Sequence, residues 1–311
     1  MNKLTKLKEE FLNGQITKYE YVDKMYAYYH AILFDYSEFM KNTNISKIEI
    51  EDDAVVFTCR DSQIKLSCAK DDVCLTPLTI LNFGNYESAE LKIQLQLIQD
   101  GDTIFDIGGN VGWYAIHVAK ARPASIIYAF EPVPWTFNEM QKNISLNSIN
   151  NIQNHNFGFS DKTGEFEFFF DPAISGNASL VNVAEKKDIQ VFKCKVNTLD
   201  DYTKDKKLKI DFIKCDVEGA ELLVFKGGEA TIRENKPIIF AEMLRKWSAK
   251  FNYHPNAIID FFKTLDYSPY VINGEKLQKF GLVDDDTVET NYFFLHNTRH
   301  ADLVKQFVYQ A

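Results

Sequence analysis

From about Tyr86 onward the chain predicts a doubly wound α/β fold with a mostly parallel sheet, preceded by a small α+β extension. Three observations lead there. Short apolar runs alternate with segments of helical period, the pattern of strand–helix–strand units with right-handed crossovers. A glycine-rich turn, Asp106-Ile107-Gly108-Gly109-Asn110-Val111-Gly112, separates one apolar run from a helix. The chain has 311 residues, 45% of them hydrophobic, enough for one large domain and an attachment. The expected boundary divides residues 1–85, the extension, from 86–311, the main domain.

In the extension, Leu4, Leu7 and Phe11 recur at helical spacing and Gly14 ends the run. Thr17-Lys18-Tyr19-Glu20 fits a capping box that opens a second helix. Its stripe of Tyr21, Met25, Tyr28, Tyr29, Ile32 and Leu33 is expected to pack. Ile48–Ile50, Val55–Phe57 and Ile64–Leu66 alternate as strands of a small meander.

In the main domain, Glu87–Ile98 reads as an amphipathic helix, Thr103–Ile107 as the first buried strand and Gly112–Arg122 as the next helix. Ile126–Phe130 is a second strand, Thr136–Leu146 a helix and Ile152–Phe159 a third strand. An insertion follows, with Glu165–Phe170 as a strand and Ser175–Leu180 as a polar loop. Ile210–Cys215 and Pro237–Met243 are two more buried strands, and Ala257–Leu265 is a helix. Val271-Ile272 and Tyr292–Leu295 are expected to close the sheet as an antiparallel pair.

The net charge of −9 argues against a nucleic-acid partner, which calls for a basic surface. The run around Lys204, Lys206, Lys207 and Lys209 reads as a solvated loop. Five cysteines, none in a C-x-x-C pair, fit a reducing cytoplasm better than a disulfide scaffold or zinc site. The first residues lack the apolar centre of a signal peptide, and no window is apolar enough to span a bilayer. The expected location is cytoplasmic.

The chemistry concentrates at the carboxyl ends of the predicted strands, where an α/β sheet presents its ligand crevice. Glycines in the first turn let the backbone turn sharply and approach a ligand, and Asp106 stands where it can accept a hydrogen bond from a ligand's ammonium group or a bridging water. The dinucleotide fingerprint G-x-G-x-x-G is broken here, because Asn110 and Trp113 occupy its later glycine positions. This favours a ligand with an amino-acid tail over a pyrophosphate. Glu131, in Phe130-Glu131-Pro132, falls at the end of the next strand, about 25 residues on, near the offset at which an acid meets a ribose. Pro132 is placed to pack on a base.

Asp216 and Glu218, in Ile213-Lys214-Cys215-Asp216-Val217-Glu218-Gly219-Ala220-Glu221, follow the fourth strand. Either carboxylate can take a proton from a hydroxyl, orient it or hold a metal. Glu221 reads as the cap of the following helix. Glu242 ends an apolar run, where an unpaired charge is costly, and reads equally as a catalytic group or a structural ion pair. Asp216, Glu218 and Glu242 are oxygen donors suited to Mg²⁺. Asn177 and Ser179, in the inserted polar loop, are candidates for reading an acceptor.

The glycine loop, Phe-Glu-Pro, Asp-Val-Glu-Gly-Ala-Glu and the late Thr290-Asn291-Tyr292-Phe293-Phe294 together resemble the FkbM-type family of methyltransferases, over about Tyr86–His296. The resemblance implies a Rossmann-like class I methyltransferase fold and S-adenosylmethionine (SAM) as cofactor. It also implies O-methylation of a sugar, glycan or other small molecule. It would assign Asp106, Gly108, Asn110, Gly112 and Glu131 to SAM and place Ser160-Asp161 near the adenine. Tyr86 and Glu87 match a segment that precedes the SAM loop and are counted with the cofactor-binding residues on that likeness. No metal is required by this likeness. Rival readings are a nucleic-acid methyltransferase, although Asp216-Val217-Glu218-Gly219 replaces the Asn/Asp-Pro-Pro-aromatic signature of amino-directed DNA enzymes, and a SAM-binding scaffold whose N-terminal helices recruit a partner.

Overall fold

The computed structural model describes residues 2–52, 54–70, 75–171, 179–180 and 189–309. The chain opens with helices Lys3–Leu12 and Lys18–Met25, a π-helical turn Tyr26–His30, and helix Ala31–Phe39. The capping box forms as expected: Thr17 Oγ1 accepts from Glu20 N at 3.2 Å, and Glu20 Oε2 accepts from Thr17 N at 2.8 Å. The aromatic stripe departs from its expected packing. Phe11 stacks on Tyr21 with ring centroids 4.9 Å apart, but Tyr28 is 64% exposed, Ile32 48% and Leu33 54%. Apolar residues on helix Ala31–Phe39 fall on several sides, so no single neighbour can cover them.

Strands β1 (Ile45–Ile50), β2 (Val55–Cys59) and β3 (Lys65–Cys68) form the expected antiparallel meander. The free edge of β3 is met by two asparagines of helix Pro134–Leu146 and its end. Asn143 Oδ1 accepts from Ser67 N at 2.7 Å while its Nδ2 donates to the Val111 carbonyl at 2.9 Å. Asn147 brackets Lys65, accepting from its N–H at 2.8 Å and donating to its carbonyl at 2.7 Å. Side-chain amides thus complete a strand edge that would otherwise stand open. Ile45, Phe57 and Leu66 share one buried cluster with Trp113, Ile116 and Met140.

The central sheet begins with β4 (Thr103–Ile107), β5 (Ile126–Phe130) and β6 (Ile152–His155), paired in parallel. The third strand is shorter than its sequence suggests. Asn156 turns the chain out, its Nδ2 donating to the Glu131 and Pro132 carbonyls at 2.9 and 3.0 Å. The chain then builds a separate three-stranded sheet from β7 (Gly158–Phe159), β8 (Gly164–Phe170) and β9 (Gln190–Asn197). Phe168 and Phe170 of β8 bury with Val133, so the insertion has its own small core.

The chain returns through β10 (Phe212–Cys215), β11 (Ile238–Glu242), β12 (Tyr267–Asn273), β13 (Lys276–Lys279) and β14 (Asn291–His296). The eight-stranded order is β13-β12-β14-β11-β10-β4-β5-β6. β14 runs antiparallel between β11 and β12, the predicted closing pair. Helices cover both faces, making a mostly parallel, doubly wound, Rossmann-like sheet. Among the described residues no helix is long and apolar enough to cross a membrane.

Asn143 is 1% exposed. Asn143→Leu therefore leaves Ser67 N–H and the Val111 carbonyl unpaired, and is expected to lower stability by about 2–4 kcal/mol, one desolvation penalty for each group. The shift in urea midpoint at constant slope measures it, and an unchanged midpoint contradicts the docking role.

Candidate functional site

The site forms where β4, β5, β10 and β11 end. In-register pairing sets Lys214 of β10 beside Asp106 of β4. Lys214 is 4% exposed and Asp106 2%. Lys214 Nζ lies 3.4 Å from Asp106 Oδ1 and 3.3 Å from Asp216 Oδ2, and donates to the Gly108 carbonyl at 2.7 Å. Burial alone would lower the pKa of the ammonium. Asp216, Asp106 and Glu87 overcome that and hold its pKa above the ordinary lysine value. Burial also raises Asp106, opposed chiefly by Lys214. Lys214 went unassigned in the sequence, although a lysine inside the apolar run Ile213-Lys214-Cys215 is itself a sign of a buried ion pair.

The glycine turn is shaped by its neighbours. Gly108 has φ +75°, and a Cβ there would sit 1.8 Å from the Asp216 carbonyl oxygen. Its bareness therefore serves the close approach of two strand ends, a use the ligand-approach reading did not foresee. Gly112 has φ +88° and tucks against Met140 and Ile116. Asn110 also has positive φ, at 48°, and its Oδ1, like both carboxylate oxygens of Asp106, is buried without a hydrogen-bond partner.

Glu131 closes the turn from β5. Its Oε2 accepts from Asn110 N at 3.1 Å and its Oε1 from Val133 N at 3.0 Å. Burial pushes this carboxyl up to about 7, against the pull of those two amides. Pro132 is half-buried and lies against Gly158, where a Cβ would meet its ring at 3.4 Å.

A second set of acids faces the same strand ends. Asp216, Glu218 and Glu242 each bring one carboxylate oxygen within 4.8 Å of the others, a donor set that fits a hard divalent cation. Glu218 sits in the left-handed region at φ 55°. Burial, then Asp216 and Glu221, raise its pKa well above the usual carboxylate range. Burial, then Asp216 and Glu218, push Glu242 up to about 10. Glu87, with φ 43°, accepts from the Tyr114 hydroxyl at 2.6 Å, and burial lifts it to about 7. The Tyr86 phenol is driven well above its ordinary pKa by burial and by the charges of Glu87, Asp216, Glu242 and Glu218. Glu221 is engaged structurally: its Oε1 accepts from Val217 N at 3.0 Å and Gly219 N at 3.1 Å, so it ties down the loop ahead of its helix instead of capping the helix itself as expected.

Thus Asp106, Gly108, Asn110, Gly112 and Glu131 gather around one turn, with Tyr86, Glu87, Asp216, Glu218 and Glu242 beside it. Ser160 and Asp161 are tied differently. Ser160 N donates to the Asn197 carbonyl at 3.0 Å, its Oγ donates to Asp161 Oδ1 at 3.3 Å, and its carbonyl faces Gly227. Ser179, 1% exposed, donates its hydroxyl to the Glu218 carbonyl at 3.1 Å, so the insertion does reach the site. Asn177 lies outside the described residues. Clefts of about 850 Å³ beside β2 and helix Pro134–Leu146, and about 720 Å³ around Asp200, Lys207 and Arg299, are lined by none of these acids.

The family model described as "Methyltransferase FkbM domain" matches residues 106–269. "Methyltransferase 1" of Beauveria bassiana is 30% identical over 149 residues, covering 41% of this chain and 59% of that protein. "Hexuronic acid methyltransferase AglP" of Haloferax volcanii is 27% identical over 143 residues, covering 45% of this chain and 56% of that protein. The chain thus spans less than two-thirds of the length of either relative. A solved methyltransferase FkbM from Methylobacillus flagellatus superposes with a TM-score of 0.43 at 14% identity, covering 84% of this chain and 58% of that one. With its family match running from the Asp106 turn through β10 and β11 into β12, the chain belongs to the FkbM methyltransferase domain family.

Proposed function

We propose that the protein is a SAM-dependent methyltransferase that methylates a hydroxyl of a carbohydrate or other small molecule. Residues 86–311 make up the transfer domain, and 1–85 are an attached extension. The observation that carries the reading is the excess of acidic side chains at the strand ends, with the buried Asp106 oxygens and Asn110 Oδ1 lacking a hydrogen-bond partner and Lys214 as the cation ion-paired among them. A ligand bearing an ammonium and a sulfonium fits that field. When bound, SAM supplies an electrophilic methyl group. Asp106, Asn110 and the glycine turn would hold its amino-acid part and Glu131 its ribose.

The acceptor hydroxyl must be oriented and lose its proton. Asp216 suits this role, because it stands at the strand end with Lys214 as a fixed counter-charge 3.3 Å away. Glu218 and Glu242, held protonated by burial and by their neighbours, suit hydrogen-bond donation to the acceptor. The same pair with Asp216 would hold a divalent cation in an enzyme that uses one. The hexuronic acid relative supports a carbohydrate acceptor, and the net charge of −9 supports a small acceptor over a nucleic acid. The exposed N-terminal aromatic residues favour a second reading, a SAM-binding scaffold that recruits a partner. SAM binding without transfer to any hydroxylated acceptor would support it.

Calorimetry is expected to register binding of SAM and its demethylated product and none of a nicotinamide nucleotide; the reverse would sink the reading. Asp106→Ala should abolish that heat. Asp216→Asn should retain it and slow labelled-methyl transfer by about 10²–10⁴-fold.

A cationic ligand favours the ionised acids, so binding should release protons from Glu87 and Glu131, both poised at about 7. Affinity for SAM should therefore rise from pH 6 to pH 8, and the binding heat at pH 7 should vary with the ionisation enthalpy of the buffer. Lack of any buffer dependence contradicts the placement of these groups.

Lys214→Met strands Asp106 without its counter-charge and is expected to cost about 3–5 kcal/mol. Adding Asp106→Asn should recover most of the urea midpoint. If the double variant is no better than the single, the ion pair is not what the lysine supplies.

A further inference from the structure

A cleft of about 460 Å³ lies where the N-terminal sheet meets the transfer domain. The turn between β2 and β3 contributes Asp61 and Ser62, helix Ser88–Leu97 contributes Gln96, and Tyr86, Trp113 and His117 form an aromatic wall. Tyr86 and Trp113 meet edge to face with ring centroids 5.7 Å apart, and Trp113 packs on His117 at 4.1 Å.

Two buried polar atoms on residues of this cleft lack partners: the Trp113 Nε1 donor and the Gln96 Oε1 acceptor. Trp113 is 6% exposed. A third group is left half-used. His117 Nδ1 lies 2.8 Å from the Trp113 carbonyl. A carbonyl only accepts, so Nδ1 carries the proton and Nε2 remains an acceptor. Burial lowers the His117 pKa to about 4, which keeps the ring neutral. Buried donors and acceptors of this kind cost about 1–3 kcal/mol each unless water or a ligand satisfies them.

The chemistry of the lining selects among ligands. An apolar molecule would leave Trp113 Nε1 and Gln96 Oε1 unpaired. An anion would face Asp61 and find no arginine, while Lys92 at the rim already pairs with Glu275 at 2.6 Å. A polyhydroxylated ring satisfies all parts at once: each hydroxyl both donates and accepts, and its C–H face packs on an aromatic wall. Tyr86 links this cleft to the acids, since its phenol feels the charges of Asp216, Glu218 and Glu242.

We propose that the cleft is a subsite for an uncharged sugar ring of the acceptor, gripped by Trp113, Gln96 and His117 and closed by Asp61 and Ser62 of the N-terminal extension. Its place in catalysis rests on the methyl-transfer reading, whereas the binding itself does not. The subsite gives the extension a role in recognition. It supplies one wall, so the two parts of the chain act as one binding surface.

The test uses the full chain without SAM and a panel of neutral methyl glycosides, including methyl β-D-glucopyranoside, followed by saturation-transfer NMR and titration. Binding in the millimolar range is expected. Trp113→Phe keeps a ring but removes the donor, and Gln96→Leu removes the acceptor. Each should weaken the best glycoside by about 5–10-fold, the worth of one hydrogen bond, while SAM calorimetry stays at the wild-type value. Gln96→Leu keeps the test open if Trp113→Phe fails to fold. No binding of any neutral glycoside to the wild-type chain, unchanged affinity in both variants, or tighter binding of glucose 6-phosphate than of the neutral glycosides would overturn the subsite. Glycoside binding that depends on Trp113 and Gln96 in a protein that gives no heat with SAM would keep the subsite and reject methyl transfer.

Discussion

One buried cation, Lys214, organises the end of the sheet, and it is the one lysine or arginine buried among the described residues. A lysine with 4% exposure is tolerable only where negative groups surround it, and here they come from different parts of the chain. Asp106 arrives through the β4–β10 register, Asp216 through the end of β10 itself, and the Gly108 carbonyl through the turn after β4. Each of these contacts constrains the others. The turn cannot move without taking a hydrogen bond from the ammonium, and Asp106 cannot rotate away without leaving a buried charge. The bare Cα of Gly108 is what lets the two strand ends approach this closely.

Around that cation, acidic side chains outnumber basic ones. Glu87, Glu218, Glu221 and Glu242 add to Asp106 and Asp216, and burial raises the proton affinity of most of them. Such a group of acids around one lysine is costly, because those beyond its reach must stay protonated or repel one another. The strain is held by the surrounding main chain. Glu221 is fixed by two amides, Glu131 by two more, and the left-handed backbone at Glu87, Asn110 and Glu218 places these side chains where a regular helix or strand would not. Three of the nine non-glycine residues in that conformation among the described residues, Glu87, Asn110 and Glu218, lie at this end of the sheet.

The pieces appended to the sheet differ in how firmly they join it. The N-terminal meander shares the main core and is pinned by Asn143 and Asn147, so it behaves as part of the domain that it precedes. The inserted sheet has its own core and touches the site through Ser179 and the Glu218 carbonyl. The first helices are another matter: many of their large apolar side chains face outward, an arrangement that water alone does not favour.

The order of elements in the main domain was legible in the sequence because buried parallel strands need continuous apolar runs and their crossovers need helical periods. The acids at the strand ends were legible for a related reason: a charge that follows an apolar run has few places to go except the sheet edge. Residue spacing could not foresee how far apart those ends would come to rest. The pairing of Lys214 with Asp106 spans more than a hundred positions and depends on which strands lie side by side, a property of topology and not of local pattern. The same holds for the break after His155, made by an asparagine that reaches back to the Glu131 and Pro132 carbonyls. It holds too for the cleft against Trp113, whose walls come from segments with no pattern in common. Local sequence determined the elements and their polar tips, because propensity and periodicity act over a few residues. Tertiary structure decided which tips meet and which buried atoms are left without a partner, because only the folded packing brings distant groups out of water together.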